Sequence, residues 1–224
     1  MNRLSVVATP IGNLSDITVR ALEVLRSVDG VIAEDTRVTK KLLEHYEIAV
    51  PMSAFHARSG EAGIEKVIGL LAEGKHLALV TDAGTPGISD PGSELIDRVR
   101  TELPDVVIEA IPGASAVTAA LSIAGVPSSA FLFLGFLPHK KGRETLFAEI
   151  AASERTVVFY ESPHRIEKTL GRLAEVLGEG KRVVVARELT KMYERVVRGS
   201  AHEVRAYFEA HPDEVRGEFV VMVA

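Results

Sequence analysis

The chain has 224 residues, 46% of them hydrophobic and 25% charged, a composition that fits a globular protein of one or two domains and excludes a disordered chain. Cysteine is absent, which excludes a disulfide framework, a thiolate nucleophile and a Cys-ligated zinc. The net charge of −5 excludes a generally basic nucleic-acid binder, so any contact with RNA or DNA must come from a local patch.

The N-terminal residues lead into an apolar run at 4–8 that fits a first strand rather than a signal peptide. No apolar run approaches the roughly 20 residues needed to span a membrane, so the expected compartment is the cytoplasm. The run ends in a turn cluster, Thr9-Pro10-Ile11-Gly12-Asn13. Ile17, Ala21, Leu22, Val24, Leu25 and Val28 then fall on one helical face. Residues 31–33 predict a second strand and 36–46 a helix. Ile64, Val67, Ile68 and Leu71 repeat at helical spacing, with Gly74 as the stop. A strand follows at 77–80. Asp90-Pro91 fits an N-cap with proline at the first helical position, for a helix to about Arg100, and 106–111 is another strand. Strands separated by helices imply βαβ units and a mostly parallel sheet.

The second half reads differently. A small-residue helix spans 116–124 after Pro112-Gly113, and 131–135 and 156–160 are strand-like. Ser162-Pro163 opens an amphipathic helix carrying Ile166, Leu170, Leu173, Ala174 and Leu177. Strands are expected at 183–186, 193–197 and 219–223. Ser200-Ala201-His202-Glu203 is a capping box before a helix to about Glu209. This half predicts a mixed sheet with helices. Residues 1–112 carry a net charge of −6 and residues 113–224 a net of +1, which supports a domain break near Pro112-Gly113 (domains 1–112 and 113–224).

Three turn-rich segments follow predicted strands in the first half: 9–13, 81–92 (TDAGTPGISDPG) and 112–116. In an open α/β sheet ligands sit beyond the carboxyl ends of the strands, and glycine lets a ligand approach the main chain. Any one of these could be a tight βα turn. The second, with three Gly, two Pro and two Asp, is longer than the roughly 2–6 residues such a connection needs. The glycine fingerprints of dinucleotide folds and P-loops are missing, as are H-E-x-x-H and G-x-S-x-G, and the seven His show no ligand spacing; no metal is expected. Charged clusters stand at predicted strand ends: Glu34-Asp35-Thr36-Arg37, Glu161-Ser162-Pro163-His164-Arg165 and Arg187-Glu188-Leu189-Thr190-Lys191. His139-Lys140-Lys141-Gly142-Arg143 is a compact basic loop, and six Lys and Arg lie between Lys181 and Arg198. Each basic stretch alone fits a solvated surface; together they fit an anionic partner.

In this order ATPIGNLSDIT, AEDTR, LVTDAGTPGISDPG, IPGASA, GFLP, FYESPHR and ARELTK resemble one family. It is the bacterial small-subunit ribosomal RNA 2′-O-ribose methyltransferases that modify cytidine 1402 of 16S rRNA, a branch of the tetrapyrrole methylase superfamily. The likeness runs from Val6 to about Val223. Members are often longer, with an extra C-terminal segment. The resemblance implies two α/β domains of the class III methyltransferase type with the cofactor in the cleft between them. It also implies S-adenosyl-L-methionine as methyl donor, 16S rRNA in the small ribosomal subunit as substrate, and a homodimer. Superfamily members acting on tetrapyrroles usually carry Gly-Asp-Pro in the second loop. Here Gly84-Thr85-Pro86 stands there, which matches the ribosomal RNA branch.

Carried over by motif, the methyl donor would touch Pro10, Ile11, Gly12, Asp82, Ala83, Gly84, Thr85, Ile88, Ala114, Ser115, Ala116, Tyr160 and Leu189. Methyl transfer from a sulfonium needs no metal. It needs alignment of the ribose oxygen and either a base or a cation at the developing alkoxide. Glu34, Asp35, Glu161 and Glu188 are candidate bases; Arg37, Arg165, Arg187 and Lys191 are candidate cations. Glu161 and Lys191 are preferred because each closes a strand of the second domain, the competing reading being a salt bridge. Lys140, Lys141, Arg143, Arg165, Arg187 and Arg195 are the expected RNA contacts. The competing functions are a small-molecule, tetrapyrrole-type methyltransferase and a non-catalytic ribosome-binding factor on the same fold.

Overall fold

The computed structural model describes residues 2–56, 58–178 and 180–224. The chain divides into two units, Met1–Ser115 and Ala116–Ala224. The first contains strands β1 (Arg3–Val7), β2 (Gly30–Ala33), β3 (Met52–Ala54), β4 (His76–Val80) and β5 (Val107–Ile111). Its helices are α1 (Val19–Ser27), α2 (Thr36–His45), α3 (Gly60–Ala72) and α4 (Gly92–Glu102). The strands form one parallel sheet in the order β3-β2-β4-β1-β5.

Successive strand residues point to opposite faces, and here both faces are covered, so the strands read as apolar runs rather than alternations. Leu4, Ile32, Leu77 and Leu79 pack with Ile64, Val67 and Leu71 of α3 and Leu95 and Val99 of α4. Val7, Val31, Ala33, Ala78 and Val80 pack on the other face with Ala21 and Leu25 of α1 and Leu43 of α2. Thr18 caps α1 by accepting from Ala21 N, and Asp35 caps α2 by accepting from Arg37 N. β3 has no counterpart in the sequence reading. It is a three-residue edge strand without a fully buried residue, too short to show a period. Helix α4 begins one residue later than expected. Pro91 is its cap, and the Asp90 carboxylate still accepts from Gly92 N at 3.0 Å.

The second unit contains β6 (Phe131–Phe136), β7 (Thr156–Glu161), β8 (Val183–Arg187), β9 (Arg195–Gly199) and β10 (Phe219–Val223). Its helices are α5 (Ala116–Ala124), α6 (Arg143–Ala152), α7 (Ile166–Val176) and α8 (Ala201–Ala210). The sheet is mixed, in the order β6-β7-β10-β8-β9. β6 and β7 are parallel, whereas β10 is antiparallel to β7 and β8, and β9 to β8. Phe147, Ile150, Leu170, Leu173, Val204 and Phe208 from α6, α7 and α8 cover one face, meeting Val157, Phe159, Val183, Val185, Phe219 and Val221. Helix α5 lies against β8 and β10.

The capping box at α8 forms as predicted. Two expectations need correction, and one helix has no counterpart in the sequence reading. Helix α7 starts at Ile166 because 162–165 close as a turn, with Ser162 O accepting from Arg165 N and Ile166 N. β9 starts at Arg195, two residues late, because Tyr193 belongs to the turn before it. Helix α6 follows the basic loop with no sequence signal, since Leu146, Phe147 and Ile150 alone do not mark out an apolar face against its polar residues.

At the amino-terminal edge of the first sheet, Ser5 Oγ donates to Glu109 Oε1 at 2.7 Å and lies 2.8 Å from His76 Nε2. A hydroxyl carries one proton, so Nε2–H of His76 is the donor to Ser5. Burial holds the His76 imidazole below its ordinary 6.5, with Arg3 adding to the effect. The Ser5 hydrogen bond, against the opposing effect of burial, holds Glu109 below 4.5. In both cases the unfolded chain binds the proton more readily. The His76 contribution is whole above pH 6.5 and fades as the pH falls through 6.5 towards the folded value; the Glu109 contribution fades below 4.5. The urea midpoint of the wild type is therefore expected to fall between pH 7.5 and pH 5.5, and His76→Gln should flatten that fall.

Candidate functional site

The strand order sets the carboxyl ends of β2, β4, β1 and β5 in a row, so the loops after them are neighbours, and the structure knits them together. Thr9 and Gly84 form an isolated antiparallel bridge: Thr9 N donates to Gly84 O at 2.9 Å and Gly84 N to Thr9 O at 3.1 Å. Thr9 Oγ1 donates to Thr81 O at 3.1 Å, and Thr85 Oγ1 to Ala114 O at 3.1 Å. Thr81 Oγ1 donates to Glu34 Oε2 at 2.6 Å, and Asp35 N to Asp82 Oδ1 at 3.0 Å. Within the long loop Asp90 accepts from Gly87 N at 2.9 and 2.8 Å through its two oxygens.

Glycine is required at the bridge. Gly84 has φ +85°, and a Cβ there would sit 3.3 Å from Ile11 Cγ2 and 3.5 Å from Ala114 O. A Cβ on Gly113 would come 2.9 Å from Ala8 Cβ. The three segments singled out in the sequence thus meet at close backbone approaches. Pro10, Ile11 and Gly84 are buried, while Gly12, Asp82, Ala83 and Ile88 are exposed along the rim and Thr85, Ala114 and Ser115 are half-buried. At this edge the loops approach one another through their main chains, with glycine at the two closest contacts. Glu34 is occupied by Thr81. Asp35 is held to about 2 by the Arg37 guanidinium beside it, at 2.5 Å; neither is poised as a base. Burial pushes Asp82 above the usual carboxylate value. Among the described residues no group of three or more His, Cys, Asp or Glu could hold a metal.

In the second unit β7 and β8 both run antiparallel to β10 and β6 runs parallel to β7. The carboxyl ends of β6, β7 and β8 therefore share one edge. Glu161 closes β7 with a side chain that is 0% exposed. One carboxylate oxygen lies 2.7 Å from Arg165 and accepts from Ser162 N at 2.9 Å. The other accepts from Thr169 Oγ1 at 2.6 Å and from Arg143 at 3.3 Å. Four partners, two of them cationic, make it a fastening between β7, α6 and α7. This corrects its expected role as base, because no free lone pair faces solvent. It equally corrects Arg143, which is buried against Glu161, Thr169 and Pro138 O, and Arg187, which is buried and donates to the Tyr193 and Arg216 carbonyls. Neither reaches an RNA phosphate from there. Arg165 is mostly committed to Glu161 and Leu137 O. Lys140, Lys141 and Arg195 are exposed, Arg195 with Glu214 at 3.6 Å.

Lys191 stands at the same edge. Its Nζ is 2.8 Å from Glu188 Oε1 and 2.9 Å from Glu218 Oε2. Burial pulls the ammonium down, yet the two carboxylates outweigh it and raise Lys191 above 10.5. Burial likewise opposes ionisation of Glu188, and the bonds from Lys191 and Glu218 N overcome it. The loop that carries them is bent tightly: Glu188 and Thr190 have φ +49° and +65°, a conformation side-chain-bearing residues rarely adopt. Gly217 admits the Glu188 carboxylate, which would lie 2.0 Å from any Cβ there. Sequence reasoning missed Gly217 and Glu218, whose partner lies about thirty residues away in the chain. Leu189 is buried between the two left-handed residues. Tyr160 packs edge-on to Phe133, centroids 5.1 Å apart, and burial raises its phenol above 10. Ala116 opens α5.

The tetrapyrrole (corrin/porphyrin) methylase model matches residues 3–205. The chain is 44% identical over 209 residues to a Thermotoga maritima protein named ribosomal RNA small subunit methyltransferase I, covering 93% of each. It is 44% identical to the Bacillus subtilis protein of that name, over 100% of this chain and 75% of that one. Among solved structures, diphthine synthase gives a TM-score of 0.74 at 16% identity, covering 99% of this chain and 90% of that one. Cobalt precorrin-4 methyltransferase gives 0.72 at 20%, covering 99% and 94%; both likenesses concern the fold. No helix among the described residues is long and apolar enough to cross a membrane. With its sequence matched across nearly its whole length, the chain belongs to the ribosomal RNA small subunit methyltransferase I family of the tetrapyrrole methylases.

Proposed function

We propose that this protein transfers a methyl group from S-adenosyl-L-methionine to the ribose 2′-hydroxyl of cytidine 1402 in the 16S rRNA of the small ribosomal subunit, in the cytoplasm and as a homodimer. The observation that carries the reading is the near-full-length identity to relatives named for that rRNA. Gly84-Thr85-Pro86 in the second loop supports it over a tetrapyrrole substrate.

The close backbone approaches at Gly84 and Gly113 suit a ligand gripped by main chain. Pro10, Ile11, Gly12, Asp82, Ala83, Gly84, Thr85, Ile88, Ala114 and Ser115 would hold the methyl donor, and Ala116, Tyr160 and Leu189 carry the same expectation in the second unit. When bound, S-adenosylmethionine supplies a sulfonium methyl that is already electrophilic. The protein's task is then to hold the attacking oxygen in line, an orientation worth about 7–11 kcal/mol, and to stabilise its developing charge. Lys191 stays protonated at neutral pH, so it acts as a cation and not as a base. Two of its three N–H donors are spent on Glu188 and Glu218, leaving one for an alkoxide oxygen. Transfer would exchange the S–C bond of the donor for an O–C bond on the ribose, and the hydroxyl proton would pass to solvent water. Glu188, held ionised by the bonds from Lys191 and Glu218 N, keeps the Lys191 ammonium in place rather than taking the proton.

Incubation of unmethylated small subunits with labelled methyl donor, followed by mapping of the labelled nucleotide, tests the reading. Label on a ribose of 16S rRNA is the expected result, and label only on a small molecule would sink it. Gly84→Val should weaken donor binding about tenfold or more by calorimetry, because a branched side chain is strained at φ +85° and meets Ile11 and Ala114 O. Unchanged affinity would remove this loop from the site.

A further inference from the structure

We infer that the loop joining β6 to α6, residues 137–142, is a phosphate clamp for the RNA substrate, with Lys140 and Lys141 as its cations. The inference rests on the rRNA reading above and says where the second unit takes hold of that RNA. Both lysines are exposed, and among the described residues neither has a carboxylate within ion-pair distance.

The carboxylates near the loop are engaged elsewhere. Glu144 accepts from Arg172 Nε at 2.8 Å, and Glu161 is buried between Arg143 and Arg165. Glu167 is exposed on the first turn of α7, but the next residue is Lys168, also exposed and without an ion-pair partner among the described residues. His139 and His164 add exposed imidazole N–H donors. The charge left over is positive and stands on the loop.

The loop is held from beneath. Leu137 is 1% exposed and belongs to the core, and Pro138 has its φ fixed by its ring. Arg165 Nη1 donates to Leu137 O at 2.7 Å, Arg143 Nη1 to Pro138 O at 3.1 Å and Arg143 N to Lys140 O at 3.2 Å. Drawing two guanidiniums out of water is costly. Here they are not spent on Glu161 alone: they also pin the carbonyls of the segment that presents the lysines. A turn fixed in advance loses little freedom when a ligand binds.

A chain of net charge −5 can meet RNA only through a local patch. Unpaired ammonium groups on a braced turn suit the phosphodiester backbone. They neutralise phosphates, release condensed counterions and set the register of the RNA without reading its bases.

The test uses the full chain with unmethylated small subunits at fixed magnesium. Each phosphate contact adds about 0.7–0.9 to the slope of log affinity against log salt. Lys140→Ala combined with Lys141→Ala should therefore flatten that slope by about 1–2 and weaken binding about tenfold or more at about 0.1 M salt, with the melting temperature unchanged. Lys140→Arg combined with Lys141→Arg should keep the wild-type slope. Lys66→Ala combined with Lys75→Ala, which removes the same charge from the first unit, should keep it too. The chain has no cysteine, so Lys140→Cys takes a photoreactive aryl azide at a single site, and irradiation on the subunit should attach it to 16S rRNA. An unflattened slope, an equal flattening in the Lys66 and Lys75 control, or cross-linking to ribosomal protein alone would each overturn the inference. A wild type that does not bind subunits is a separate result: it takes down the functional reading first, and this inference with it.

Discussion

Lys191→Ala is expected to lower kcat on small ribosomal subunits by about 100-fold, the usual consequence of removing one preorganised charge from a developing oxyanion. Methyl-donor affinity should remain within a few-fold. The loop will keep its shape, because Glu188 still accepts from Glu218 N at 3.1 Å and Lys191 contributes its backbone bond regardless of its side chain. Single-turnover methylation with saturating donor separates chemistry from binding. Lys191→Arg, which keeps the charge but moves it, should fall between the two. Equal single-turnover rates for Lys191→Ala and wild type would exclude Lys191 from the reaction. Because Lys191 is raised and Glu188 lowered, the ion pair is intact from below 4.5 to above 10.5. The rate should therefore show no loss from Lys191 deprotonation on the alkaline side of neutrality.

The second large effect is on stability. Glu161→Gln leaves Arg143 and Arg165, with side chains only 10% and 16% exposed, without their shared negative charge. Breaking a buried ion pair by removing one partner costs about 3–5 kcal/mol, which lowers the melting temperature by about 10 °C in a chain of this size. Calorimetry or circular dichroism checks this. Turnover per folded molecule at low temperature should stay within a few-fold of wild type. A hundredfold loss of turnover at an unchanged melting temperature would return Glu161 to the chemistry. Replacing the carboxylate and both arginines together with apolar residues of similar volume should recover much of the lost stability, since an uncompensated buried charge is worse than no charge.

What could be read in advance was what is local. The strands of the first sheet are apolar runs whose two faces are both covered, and such runs are legible because each residue carries its own hydrophobicity. The capping box at Ser200 and Glu203 needs only residues three apart, and the glycine-rich loop at 81–92 announces itself by length. The short β3 and helix α6 were not legible. One lacks a buried residue to mark it and the other buries Phe147 and Ile150 beside a charged Arg143, so packing alone selects them.

The sequence by itself determined two α/β halves, the loops at the carboxyl ends of the first sheet, and the family to which their motifs belong. Only the tertiary structure decided which charges face water. Glu161 finds Arg143 18 residues before it, and Glu188 accepts from Glu218 N 30 residues on. A count of charges along the chain treats Arg143, Arg187 and Lys140 alike, while the fold buries the first two and leaves the third exposed. The physical reason is that desolvation and ion pairing act through space. The role of a charged side chain is therefore settled by what packs around it after the strands have paired.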